Sequence, residues 1–247
     1  MAVGHVSLNF TGIFRSPGFA GGPFLLRSTR FSCLAFTVFA IFVFCASCRA
    51  QSPNRQPVVA PNSALAGVKY DYKWEIYGGF AYSHFNAGPN LLQGANLGGF
   101  DIQGARFFTQ RWAAVANVRG YYGTSGVVPN SFGIRGPFVS QHMFMGGAQF
   151  RGPSNEHASL TLHALVGGAY GSFERNLDGV PPGALGLFSN QFAFGSAFGG
   201  SIDLNRSPRL AFRISPDATF VNYGSAGLKD QFAISVGLVY RLGKGLK

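Results

Sequence analysis

Nucleophilic catalysis could be carried out by histidines that lie near hydroxyl side chains. Four of the histidines follow residue 50: His84, His142, His157 and His163. Acyl transfer needs a nucleophile, a histidine and an acid that meet on one surface. Ser83 and His84 are adjacent, so on a strand they point to opposite faces. Ser140 shares a face with His142, which has no obvious acid beside it, and Ser159 and Thr161 share a luminal face with His163, away from any substrate in the outer leaflet. We therefore expect no catalytic residue and interpret the histidines as structural polar groups.

Four glycine pairs could be mistaken for phosphate-binding loops. They are Gly98-Gly99, Gly146-Gly147, Gly167-Gly168 and Gly199-Gly200. None is followed by the Lys-Ser/Thr pair or the strand–turn–helix context that a phosphate loop needs, so we expect strand curvature and close interior packing instead. No zinc-type spacing and no EF-hand loop occurs in the sequence. The sequence predicts no metal site and no cofactor.

β-Strands are the elements predicted to position these residues, because apolar or aromatic side chains recur at every second position. In Ser159–Tyr170 the alternate positions from Leu160 onwards are Leu, Leu, Ala, Val, Gly and Tyr, which fits a period of two and not of 3.6. Alternating segments of about ten residues separated by turns are typical of a transmembrane β-barrel. Eight strands are predicted: Tyr72–Phe85, Leu97–Phe108, Trp112–Tyr122, Phe138–Phe150, Ala158–Phe173, Phe192–Leu204, Leu210–Tyr223 and Gln231–Leu242.

The connections between these strands alternate between long and short. They cover residues 86–96, 109–111, 123–137, 151–157, 174–191, 205–209 and 224–230. This alternation predicts an all-β, antiparallel up-and-down barrel of eight strands, with its short turns in the periplasm and its long loops outside the cell. The apolar loop segment 179–188 could fold over the barrel mouth or contact a partner. A closed barrel leaves no strand edge free to aggregate, and we expect a monomer.

Charged side chains on the strands fall in the register that faces the barrel interior. An outward Arg or Lys near the membrane midplane costs about 2–4 kcal/mol, so this segregation supports the predicted register. An eight-stranded interior is just filled by side chains, and the charges should pair to form a plug. The predicted pairs are Asp101 with Arg119, Asp203 with Arg213, and Glu75 with Arg241; a conduction path is the alternative. The predicted luminal residues are Lys73, Glu75, Asp101, Arg119, Asp203, Arg213, Asp217 and Arg241.

Two residues do not follow the simple alternating pattern. Arg106 points outward, but it lies close enough to a predicted short turn to reach lipid headgroups. Trp74 and Tyr240 also point outward near that end, where aromatic residues are typical of a membrane interface. Pro216 lies inside the seventh strand and lacks a backbone donor, which predicts a β-bulge there.

Residues 1–50 are predicted to be an N-terminal extension followed by a secretory signal peptide. Arg27 and Arg30 precede the apolar segment 33–46, and small residues follow it, so cleavage is expected after Ala50. Lipidation of Cys48 is the alternative. The three cysteines all lie before the predicted cleavage site, so the mature chain should contain neither a disulfide nor a thiolate site.

The mature chain is predicted to have two parts. Residues 51–69 contain three prolines and little periodicity, which indicates an extended periplasmic leader, and residues 70–247 form the barrel. Four arginines and no acidic residue precede the cleavage site, so the formal charge falls from +11 to +7 on export. This surplus suits contact with anionic lipid headgroups, and no dense basic run indicates nucleic-acid binding.

The closing strand, Phe232–Leu242, carries the family resemblance together with the signal segment and the alternating region. These features resemble small OmpA/OmpX-type outer-membrane β-barrel proteins of Gram-negative bacteria. The resemblance implies insertion by the outer-membrane assembly machinery and contact with outer-membrane lipid and lipopolysaccharide, and it implies no particular activity.

The sequence therefore predicts an integral outer-membrane protein with a structural or surface-interaction role, and not an enzyme. Two alternative functions are a small low-conductance pore and a lipid A-modifying barrel enzyme. A soluble lipocalin-like barrel is the competing fold, but it would need polar side chains at outward positions where this chain has Phe, Ile, Leu and Val.

Overall fold

A computed structural model describes residues 65–243 except residues 66, 90, 92 and 225–227. The predicted signal peptide, the cleavage site after Ala50, Cys48 and most of the predicted leader lie outside the described residues. Among the residues that are described, no helix is long and apolar enough to span a membrane.

Eight antiparallel strands form a closed barrel in which each strand pairs with the next and the last pairs with the first. The predicted fold class is confirmed. The long loop between the fifth and sixth strands contains one 3-10 turn, Pro182–Leu185. The strands are β1 Trp74–Phe85, β2 Ala95–Phe107, β3 Trp112–Thr124, β4 Phe138–Ser154, β5 Ala158–Ser172, β6 Gln191–Asn205, β7 Leu210–Asn222 and β8 Leu228–Leu242.

Strand β4 departs most from its predicted bounds, because it continues four residues beyond Phe150 to Ser154. Its pairing register with β5 shifts between Arg151 and Ser154, which is a bulge next to the short β4–β5 turn. The sequence predicts that this strand ends at Phe150 and that Arg151, Gly152 and Pro153 belong to the turn. The bulge allows the strand to continue past these residues.

The β-bulge predicted at Pro216 is wrong. Strands β6 and β7 pair with the same register on both sides of the proline, at Gly199–Asp217 and at Ile202–Ile214. The hydroxyl of Ser215 donates a hydrogen bond of 3.3 Å to the carbonyl of Gly200. This side-chain donor stands in for the backbone N–H that proline lacks, so the strand continues without an inserted residue.

The two faces of the barrel wall differ sharply in chemistry. Large apolar side chains cover the outer face, and Phe80 is 86% exposed. Inward positions carry the charged strand residues together with apolar side chains such as Leu165 and small ones such as Ala105 and Ala197, all of which are buried. Small residues make room inside the narrow lumen for the long charged side chains of neighbouring strands. Charged side chains inside the barrel and large apolar side chains on its outer face are the reverse of the arrangement in a water-soluble protein.

Candidate functional site

The barrel interior is the candidate site, because seven of the eight predicted luminal residues are buried there. These are Glu75, Asp101, Arg119, Asp203, Arg213, Asp217 and Arg241. Lys73 departs from the prediction. It precedes β1, its side chain is exposed, and none of the ion pairs found among the described residues includes it. Its backbone carbonyl accepts a hydrogen bond of 2.8 Å from Phe107, which holds the chain at the barrel rim and leaves the lysine outside the buried network.

Arg213 lies at the centre of the ion-pair cluster nearest the short turns. Its Nε is 2.6 Å from Asp203 Oδ1 and its Nη2 is 2.9 Å from Asp203 Oδ2, which is a bidentate contact between register partners on β6 and β7. The same Nη2 also contacts Glu75 on β1. One guanidinium therefore neutralises two buried carboxylates, which removes most of the cost of placing them away from water.

The predicted pair of Glu75 with Arg241 is not formed, although the two residues are opposite each other in the β1–β8 register. Arg241 instead places Nη2 3.4 Å from Asp203 Oδ2 and donates a hydrogen bond of 2.7 Å from Nη1 to Asn205 Oδ1. Glu75 contacts Arg213. Each of these contacts passes over one intervening strand, because the long side chains reach beyond the neighbouring strand inside the narrow lumen, so register neighbours are not the obligatory partners.

Arg151 belongs to the same cluster, although the sequence analysis placed it in a turn. Extension of β4 turns this side chain inward, where Nη2 donates a hydrogen bond of 2.5 Å to Tyr72 and Nη1 donates one of 2.9 Å to the carbonyl of Gln110. Its guanidinium carbon lies 4.0 Å from the Phe107 ring centroid. A cation stacked on aromatic rings and bonded to oxygen acceptors is well accommodated inside the protein.

Tyr72 links Arg151 to the carboxylates, since its hydroxyl donates a hydrogen bond of 2.9 Å to Glu75 Oε2. Burial, followed by the negative charge of Glu75, raises the pKa of the Tyr72 hydroxyl well above its ordinary value. The phenol therefore stays protonated at neutral pH and keeps its role as a donor.

The chain before β1 closes the mouth at the short-turn end. The Tyr70 hydroxyl donates a hydrogen bond of 2.8 Å to the carbonyl of Asn155 in the β4–β5 turn. It accepts one of 2.8 Å from Asn205 Nδ2 at the end of β6. These contacts reach the side of the barrel opposite β1, so residues 70–73 cross the opening.

A second cluster lies nearer the middle of the barrel around Arg119. The guanidinium contacts Asp217 on β7 at 2.5 Å and Asp101 on β2 at 3.5 Å. Asp101 also accepts hydrogen bonds of 2.6 Å from Asn117 Nδ2 and 2.9 Å from the Ser235 hydroxyl. Arg119 therefore pairs with its predicted register neighbour and, more closely, with a carboxylate on the opposite wall.

His163 lies beside this second cluster, with Nε2 2.8 Å from Asp217 Oδ1. The two residues lie on β5 and β7, and Gly199 of β6 lies between them in the register. A Cβ added at Gly199 would approach Asp217 Oδ1 to 1.8 Å, so glycine is required for the contact. The histidine is thus held inside the barrel wall, away from any outer-surface substrate.

Two further histidines lie on the outer face towards the long loops, without a carboxylate partner within the described parts of the chain. His84 Nδ1 lies 2.7 Å from Asn96 Oδ1, and His142 Nε2 lies 2.9 Å from the Tyr122 hydroxyl. Neither arrangement is a catalytic triad, which needs an acid to orient the histidine. No group of three or more His, Cys, Asp or Glu side chains among the described residues could hold a metal ion.

Aromatic side chains fill the mouth at the long-loop end. Phe173 and Tyr223 pack edge to face with ring centroids 5.2 Å apart, and Phe188 contacts both rings. The backbone N–H of Phe188 donates a hydrogen bond of 3.1 Å to the carbonyl of Ala87, which fixes the β5–β6 loop over the opening. Of the two placements open for segment 179–188, this structure has the loop folded over the mouth.

The barrel lumen therefore holds two clusters of buried ion pairs, and side chains and loop contacts lie across both mouths. The chain has the fold of a small OmpA/OmpX-type barrel. No protein-family model matches the chain, and no curated protein matches it.

Three solved structures are similar in fold. The attachment invasion locus protein Ail of Yersinia pestis is 18% identical, with 70% of this chain and 99% of that chain covered and a TM-score of 0.45. Neisserial surface protein A is 9% identical, with 68% and 97% covered and a TM-score of 0.49. The outer-membrane protein OprG of Pseudomonas aeruginosa is 12% identical, with 70% and 99% covered and a TM-score of 0.43.

Proposed function

We propose that this protein is an integral outer-membrane barrel of a Gram-negative bacterium, with a structural or surface-interaction role. The observation that carries the proposal is the inverted chemistry of the wall. Ile102, Phe144 and Phe198, on three different strands, are each more than half exposed, while the charged strand residues Asp101, Arg119 and Asp217 are buried. Water would penalise such an outer face, whereas hydrocarbon favours it.

The topology supports an orientation in the membrane. Short turns join β2 to β3, β4 to β5 and β6 to β7, and the other connections are longer. In barrels of this type the short turns face the periplasm, so the long loops would contact lipopolysaccharide and partners outside the cell. The closed wall leaves no free strand edge, which favours a monomer inserted by the outer-membrane assembly machinery. Export would depend on the signal peptide expected at residues 1–50.

Insertion is tested by expressing the full chain in a Gram-negative host and extracting the membranes with detergent. The folded barrel should migrate faster on a gel before boiling than after it, because the closed hydrogen-bonded wall resists detergent until heated. Circular dichroism of the unboiled material should be rich in β-structure. A product that stays soluble without detergent would overturn the proposal.

We expect the protein to carry no steady ionic current, because paired charges occupy the lumen and side chains lie across both mouths. Planar-bilayer recording of purified protein measures this directly. Arg119→Ala provides the matched comparison, since it removes the side chain at the centre of the second cluster. Steady conductance in the unmodified protein that changes with Arg119→Ala would favour the low-conductance pore instead.

The interior also argues against a lipid A-modifying activity. His163 has an acidic neighbour but is buried in the lumen, and no acid among the described residues lies beside the outward His84 or His142. A reaction at the lipid surface would need all three groups on the outer face. Mass spectrometry of lipid A from expressing cells, with unchanged acyl chains as the expected result, tests this part of the proposal.

A further inference from the structure

The lipid-facing surface at the short-turn end carries a cation held between aromatic rings. The guanidinium carbon of Arg106 lies 5.5 Å from the Trp74 ring centroid and 5.7 Å from the Phe108 ring centroid. Trp112, at the start of β3, packs on Phe150 with centroids 5.0 Å apart. Trp74, Phe108 and Trp112 are all about half exposed or more. We call Trp74, Arg106, Phe108, Trp112 and Phe150 the Arg106 patch.

Arg106 is exposed, and none of the ion pairs found among the described residues includes it. In this respect it differs from the arginines of the lumen, each of which faces a carboxylate. The two aromatic rings restrict its side chain, so less conformational entropy is lost when it binds an anion. A guanidinium presents paired N–H donors that match the oxygens of a phosphate.

The two rims of the barrel differ in charge, and the patch lies on the basic one. The described residues of the short-turn rim carry Lys69, Lys73, Arg106, Arg111, Arg206 and Arg209 against Asp71 and Glu156. Those of the long-loop rim carry Arg135, Arg175 and Lys229 against Glu174, Asp178 and Asp230. The formal charge is therefore +4 on the short-turn rim and zero on the long-loop rim. A basic rim attracts an anionic membrane surface next to it.

We propose that the Arg106 patch binds the phosphate of an anionic phospholipid headgroup in the leaflet that surrounds the short turns. The inference rests on the proposed membrane insertion, which puts these outward rings at the lipid interface. The guanidinium binds the phosphate while Trp74 and Phe108 contact the glycerol and upper acyl region. Arg111 and Lys73, on the same rim, strengthen the local positive potential.

Tryptophan fluorescence tests the proposal, because the chain has two tryptophans and both belong to the patch. The protein is refolded into phosphatidylcholine vesicles that contain a minor fraction of phosphatidylglycerol, and one of the two lipids carries brominated acyl chains, which quench tryptophan. Both leaflets have the same composition, so the direction of insertion does not affect the result. Brominated phosphatidylglycerol should quench more than its mole fraction predicts.

Arg106→Gln should reduce this local enrichment of phosphatidylglycerol by about fivefold, which corresponds to one basic residue at a charged membrane surface. Arg106→Lys keeps the charge and should retain part of the enrichment. Arg135→Gln, on the long-loop rim, is the matched control and should leave quenching unchanged. Heat-modifiable migration of each variant shows that it has folded.

Three outcomes would overturn the lipid site. If quenching follows the mole fraction of the brominated lipid, the patch has no lipid preference. If the enrichment of phosphatidylglycerol survives Arg106→Gln, the lipid is attracted only diffusely to the basic rim. Loss of enrichment on adding inorganic phosphate or a soluble acidic peptide would identify an aqueous anion or an acidic partner instead. By contrast, a protein that is quenched by neither brominated lipid and shows no heat-modifiable band has not inserted, and that result would contradict the proposed function itself.

Discussion

Arg213→Ala should lower the free energy of unfolding by about 3–5 kcal/mol, the cost of removing one partner from a buried ion pair. The guanidinium contacts both Asp203 and Glu75, so the substitution leaves two buried carboxylates poorly compensated. Among the ion pairs of the described residues, Glu75 then keeps the one with Arg151, at 3.9 Å, and Asp203 keeps the one with Arg241, at 3.4 Å. Urea unfolding of the barrel refolded into lipid vesicles measures the change.

The double variant Arg213→Ala with Asp203→Ala should recover part of this loss, because it removes one of the two stranded charges. Recovery should be incomplete, since Arg241 then loses its carboxylate. Arg135→Ala is the control, because that arginine is exposed in a long loop and its removal should change stability by less than about 1 kcal/mol. If Arg213→Ala unfolds at the same urea concentration as the unmodified protein, the ion-pair cluster does not stabilise the barrel.

The barrel wall could be predicted from the sequence because successive side chains of a β-strand point to opposite faces of the sheet. Once Phe80 is assigned outward, the period of two places Glu75 inward, and the structure buries it. The strand count and the long and short connections followed from the same alternation. Asp203 and Arg213 could also be predicted as a pair, because they are opposite each other on strands joined by a short turn.

Contacts across the lumen could not be predicted in the same way. Arg119 approaches Asp217 more closely than its register partner Asp101, and Arg213 reaches Glu75. These partners lie on strands that do not pair with each other, so no sequence spacing relates them. They are set by the width of the lumen and by the small residues that leave space between the strands. Gly199 makes room for Asp217, so the sequence does specify where this space lies. Which side chain occupies the space is seen only in the folded barrel.

Local backbone irregularities were the other limit. The sequence predicts Arg151 in a turn, whereas a bulge allows β4 to continue and turns the arginine inward. Pro216 was assigned a bulge that does not form, because Ser215 supplies the missing donor to Gly200. Neither outcome follows from the alternation of apolar and polar side chains along the strand.

Phe173→Ala should destabilise the protein by about 3–5 kcal/mol, as is usual when a buried phenylalanine is truncated. Its ring is fully buried and contacts Phe85, Phe188 and Tyr223, so alanine leaves a cavity beneath the β5–β6 loop. Phe132→Ala is the matched control: that ring belongs to another long loop at the same end, is 54% exposed, and should be nearly neutral. Urea unfolding in vesicles gives both values, and limited proteolysis of the β5–β6 loop should become faster for Phe173→Ala alone. Equal stability of the two variants would mean that the aromatic cluster does not hold the loop over the mouth, and the closure at the long-loop end would then depend on the Phe188 backbone hydrogen bond to Ala87.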